Sequence, residues 1–210
     1  GFRKAFNWLV GLTERSPDPL VLQRPQSGAV DEAGRVFVTD VSRKAVFVFD
    51  ETNARLEIWD RATATMPFKS PIGVAIGEAG EVLVTDSELA RVLRFDREGK
   101  HLGEFGVGVL KRPTGIARDP QRGLVFVADT HAHDIKVFDP SGRLVDTIGR
   151  RGDEPGEFNF PTHLAFAQDT LYVTDMLNSR VQGFNHRGEL TVKFGQRGLY
   201  VGNLVRPKGV

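Results

Sequence analysis

Cysteine is missing from these 210 residues, so disulfides and thiolate metal sites are excluded within them and the redox compartment stays open. No apolar run approaches the ~18 residues of a membrane-spanning helix. Charge of either sign in excess is also lacking. The 28 Lys and Arg nearly cancel the 27 Asp and Glu, leaving a formal net charge of +1. That balance removes the simplest electrostatic case for a nucleic-acid binder. There is no Gly-Lys-Ser/Thr phosphate loop, no Gly-x-Ser-x-Gly nucleophile turn and no dinucleotide fingerprint. The 23 glycines read as turn glycines.

What the chain does have is repetition. Prolines 25, 71, 113, 161 and 207 each open an apolar stretch, at intervals of 46, 42, 48 and 46 residues. In four copies a short strand then closes on Asp, as Val36-Phe37-Val38-Thr39-Asp40 and Val82-Leu83-Val84-Thr85-Asp86 do. A second segment closes on Phe and an acid or amide: Phe49-Asp50, Phe95-Asp96, Phe138-Asp139 and Phe184-Asn185. A period in this range with several short strands per unit points to β-propeller blades rather than a helical solenoid. The second copy shows the unit best. Gly73 to Ile76, Glu81 to Thr85, Arg91 to Phe95 and His101 to Phe105 read as four strands, separated by turn sequences such as Glu78-Ala79-Gly80 and Arg97-Glu98-Gly99-Lys100. The central strands are apolar enough to be buried on both faces, which one blade cannot achieve without neighbours.

This pattern resembles the NHL-repeat β-propellers over about Pro25 to Val210, including the Gly-rich, Phe-bearing connection at residues 149–158. Ser27 and His163 depart from it, standing where other copies have Gly73, Gly115 and Gly209. The expected fold class is all-β: four-stranded antiparallel blades, with about four to five present of the six that the family commonly builds. Six such units need roughly 276 residues, so the chain is read as part of a longer propeller, with a closed four-blade ring as the alternative. The expected organisation is a short N-terminal helix and lead-in strand over 1–24, then a propeller over 25–210. Its repeats run over about 25–70, 71–112, 113–160 and 161–206, with a fifth opening at 207. The helix is read from Phe2, Phe6, Leu9 and Val10, and the lead-in strand from Leu20-Val21-Leu22.

Function in such a scaffold belongs to loops and the axial mouth. The repeating Asp40, Asp86, Asp129 and Asp175 read as structural, accepting backbone N–H groups of the following turn, with Arg91 or Arg180 able to pair with the local carboxylate. His163, Arg150, Arg151, Lys111, Arg112 and Lys208 are the candidate contacts for a protein or peptide partner. The leading functional reading is a non-enzymatic binding scaffold without cofactor. The first alternative is a metal-dependent propeller lyase or lactonase using zinc or calcium, with His131, His133 and Asp134 as speculative ligands joined by His163 one blade later. The second is RNA binding through Lys111, Arg112, Arg206 and Lys208, which the lack of interleaved aromatics makes weak. The sequence specifies no compartment; it reads as a soluble domain compatible with an extracytoplasmic setting.

Overall fold

The computed structural model describes residues 22–198, Leu204 and Pro207. Sixteen strands form four antiparallel sheets, each paired in chain order. The first blade contains β1 (Pro25–Val30), β2 (Val36–Asp40), β3 (Ala45–Asp50) and β4 (Arg55–Trp59). The second contains β5 (Pro71–Ile76), β6 (Val82–Asp86), β7 (Arg91–Phe95) and β8 (His101–Phe105). The third contains β9 (Pro113–Arg118), β10 (Val125–Asp129), β11 (Asp134–Phe138) and β12 (Leu144–Ile148). The fourth contains β13 (Pro161–Ala167), β14 (Thr170–Asp175), β15 (Arg180–Phe184) and β16 (Leu190–Phe194). Helix is almost absent; residues 78–80, read as a turn, form a single 3-10 turn. The helix expected near residues 2–10 and most of the lead-in strand lie outside the described residues, as do Arg206 and Lys208–Val210.

Each leading proline pairs with the Asp that closes the next strand: Pro25 with Asp40, Pro71 with Asp86, Pro113 with Asp129, Pro161 with Asp175. Proline suits this first position because its missing N–H removes no interior ladder bond. The third and fourth strands are joined by side-chain-closed turns. Asp96 Oδ1 accepts the N–H groups of Glu98 and Lys100, and Asn185 Oδ1 those of Arg187 and Glu189. Asp139 does the same for Ser141 and Arg143, and the Ser141 hydroxyl and these N–H groups hold its pKa down to about 2.

Alternation along the strands divides each blade between two neighbours. Val82, Val84, Leu93 and Phe95 face the first blade, packing with Phe37, Val46 and Val48. Leu83, Val92 and Phe105 face the third, against Val125, Val127 and Phe138. Phe126, Ile135 and Val137 then meet Leu171, Val173 and Phe184 of the fourth. Every one of these aromatic and branched side chains is buried, contributing about 1.5–3 kcal/mol apiece. The outer strand also serves the next blade. Trp59 packs on Phe95 at 5.7 Å and Phe105 on Phe138 at 4.9 Å, while Ile148 joins the cluster around Phe184. Beneath these residues lie Gly99, Gly142 and Gly188 of the neighbouring turn.

The first strands β1, β5, β9 and β13 follow one another side by side at the inner edge of the array. Their spacing is close. A Cβ on Gly73 would strike the Thr114 carbonyl oxygen, and one on Gly115 would lie 2.5 Å from that of Thr162. Among the described residues no helix is long and apolar enough to cross a membrane.

Candidate functional site

The four repeating carboxylates are fully buried, and each ties a blade entrance to its own strand end. Asp86 accepts the backbone N–H groups of Lys69 and Ser70, immediately before the leading proline, and those of Glu88 and Leu89 in the following turn. Asp40 accepts from Gln23, Arg24 and Arg43. Asp129 accepts from Lys111, Arg112 and Ala132, and Asp175 from Asn159. These bonds draw the connectors between blades and the turns between second and third strands onto one face. Buried carboxylates tolerate this setting because oriented N–H donors replace water.

The two candidate arginine partners behave differently. Arg180 donates from Nε to Asp175 at 2.8 Å, and both side chains are buried. Its remaining donors reach the carbonyls of Asp153, Glu154 and Glu157 at 2.6–2.9 Å. Arg91 instead donates to Glu104 at 2.7 Å and to the Leu89 carbonyl, not to Asp86. Gln182, which carries no sequence signal, completes the fourth connector. Its Nε2 donates to the Glu157 carbonyl and its Oε1 accepts from Gly156 N–H. A polar residue in the middle of an otherwise apolar β15 was the available clue.

Lys111, Arg112, Arg150 and Arg151 are exposed on this connector face, together with Lys69 and His131. Arg150 is tied to Glu157 at 2.8 Å. Lys69, Lys111, Arg112 and Arg151 form no ion pair among the described residues. His163 is set apart from them. It lies half-buried on β13 at the inner edge, facing the Gln26 backbone of β1, and burial holds its pKa below the usual histidine range. Lys208 lies outside the described residues.

The three speculative metal ligands have separate occupations. His133 is buried against Phe160 at 4.7 Å between ring centroids and accepts the Phe160 N–H on Nδ1 at 3.3 Å. Burial and the nearby Arg151 charge lower its pKa. Asp134 accepts Lys136 Nζ at 2.7 Å, with its pKa raised by burial. His131 stays exposed. No group of three or more His, Cys, Asp or Glu side chains gathers into a metal-binding geometry among the described residues.

Comparison with known proteins agrees with the architecture. Residues 110–138 match the NHL repeat. The protein brain tumor of Drosophila melanogaster is 32% identical over 99 residues, covering 45% of this chain and 10% of that protein. The human E3 ubiquitin-protein ligase NHLRC1 is 29% identical over 91 residues, covering 43% of this chain and 23% of that protein. The alignments therefore span a quarter or less of these curated relatives. Among solved structures, the virginiamycin B lyase of Staphylococcus aureus superposes with a TM-score of 0.63 at 17% identity, over 81% of this chain and 55% of that one. At that identity the likeness concerns the fold. Four blades in one register, each with its Pro-paired, backbone-clamping Asp, together with the matched repeat, identify the chain as an NHL-repeat β-propeller.

Proposed function

We propose that this propeller is a protein-interaction module whose connector face receives an acidic peptide segment of a partner. One contrast carries the reading. The groups able to do chemistry on this face are consumed in building it, whereas Lys69, Lys111, Arg112 and Arg151 remain exposed without a carboxylate among the described residues. Rigid blades under mobile, charged side chains suit recognition better than catalysis. A relative that is an E3 ubiquitin-protein ligase supports the same direction, since such an enzyme acts on proteins. The lyase alternative draws on a shared fold, and one fold hosts many activities. Here His131, His133 and Asp134 do not converge, so that alternative lacks a carrier among the described residues.

The test is fluorescence anisotropy with a Glu-rich peptide and with an unstructured RNA of equal charge. Reversing Lys69, Lys111, Arg112 and Arg151 to Glu should weaken the peptide at least tenfold. Reversing Arg97, Arg143 and Arg187, on turns at the opposite end of the strands, should not. RNA bound more tightly than peptide by the same face would replace this reading with the nucleic-acid one. No binding of either by the unaltered chain would end it.

A further inference from the structure

Across three interfaces each blade donates side-chain hydroxyls to the first strand of the next. Thr39 Oγ1 reaches the Ile72 carbonyl at 2.6 Å, and Thr85 Oγ1 the Thr114 carbonyl at 2.6 Å. In the third blade Ala128 replaces that threonine, and the bonds come instead from Thr114 to the Thr162 carbonyl and from Thr130 to that of Pro161. The acceptor is repeatedly the residue after the leading proline. In the fourth blade Thr174 stands in the place of Thr39 and Thr85, and Thr162 in the place of Thr114. The hydroxyls of both are buried and have no partner. A buried hydroxyl left unbonded costs about 1–3 kcal/mol.

A second series is interrupted at the same place. Trp59, Phe105 and Ile148 are only 7–8% exposed because the following blade covers them, whereas Phe194, their counterpart on β16, is 49% exposed. The connector after this uncovered blade is nevertheless built like the others. Leu204 N–H donates to the Gln196 carbonyl at 2.8 Å, as Phe158 N–H does to that of Arg150 and Phe68 N–H to that of Asp60. Three residues beyond Phe68 and Phe158 come Pro71 and Pro161, and three beyond Leu204 comes Pro207.

We propose that the outward face of the fourth blade is the seat of residues 207–210, received as the first strand of a further unit. The carbonyl of Lys208, one past the proline, accepts Thr174 Oγ1 and Thr162 Oγ1. Pro207-Lys208-Gly209-Val210 has the chemistry of Pro71-Ile72-Gly73-Val74, including the small residue at the crowded inner edge. His163 occupies a position that is Gly at two interfaces. Ser27 carries a side chain there at the first interface without loss of the Thr39 bond, so the seat tolerates one. Phe194 supplies the apolar part of the seat for the rest of that unit.

The experiment uses the full chain, whose cysteine-free background makes engineered pairs unambiguous. Thr174→Cys with Lys208→Cys is compared with Thr85→Cys with Thr114→Cys, the same pair at an observed interface. Intramolecular disulfides forming to equal extents under mild oxidation support the seat. A disulfide only in the 85/114 pair overturns it, and one joining two molecules through 174/208 assigns the face to a second copy instead. Should neither pair form, Thr174→Val decides. A seated hydroxyl makes this substitution lower the folding equilibrium constant by about twofold to tenfold, as at Thr85→Val. An unchanged or raised constant at Thr174 alone overturns the proposal.

Discussion

Arg180 meets Asp175 across a 2.8 Å hydrogen bond in which neither side chain sees solvent to any extent. The same guanidinium fixes the carbonyls of Asp153, Glu154 and Glu157. One residue thereby closes the fourth blade and shapes the connector on its recognition face.

Replacing Arg180 by Ala should destabilise the fold by about 3–5 kcal/mol, because a buried carboxylate and several carbonyls lose their donor. Lys should recover little, since a single ammonium cannot reproduce the planar fork. Urea unfolding measures the loss, and faster proteolysis within residues 149–158 reports the released connector. Arg91→Ala removes a partly solvated pair and should cost under about 1 kcal/mol.

Asp86→Ala should cost roughly 3 kcal/mol or more, since the N–H groups of Lys69, Ser70 and Leu89 are orphaned at about 1–3 kcal/mol each where water cannot replace the carboxylate. Asp86→Asn retains one acceptor oxygen and should lose less. Denaturant midpoints for the pair of variants check the order; equal losses would show that the charge, rather than the acceptor geometry, matters.

Phe138 is buried between the second and third blades under Phe105. Its truncation to Ala should cost about 3–5 kcal/mol. A near-neutral result by calorimetry would contradict the interblade packing.

Burial lowers the pKa of both His133 and His163 from 6.5. For each, the unfolded chain then binds protons more readily than the folded one. Stability should be level above neutral pH and fall as pH drops through 6.5 toward the lower folded values. Around His133 the charged neighbours are Arg151, His131 and Asp134, and the first two oppose its protonation. His133→Gln should flatten the acid limb in urea titrations run at successive pH values, leaving the share of His163.

Much of the blade was legible because its determinants are local. The prolines, the Asp-closed strands and the turn glycines recur at a fixed interval, and β7 and β8 run over the expected residues. Arg91 and Arg180 looked equivalent in sequence yet took different partners. The choice depends on what the connector and outer strand bring near: Glu104 for one, a wrapped loop for the other. His131 and His133 likewise share a motif but not an environment, since only His133 is turned beneath Phe160.

Repetition of strand-forming segments, by itself, determined the unit, its four-strand order and its need for neighbours, because alternation along a strand dictates which side chains must leave water. Only the folded array decided where the buried carboxylates spend their lone pairs, which cations stay free, and which hydroxyls of the fourth blade stand without an acceptor. Those outcomes depend on distances between segments some 16 to 48 residues apart, and no local pattern encodes them.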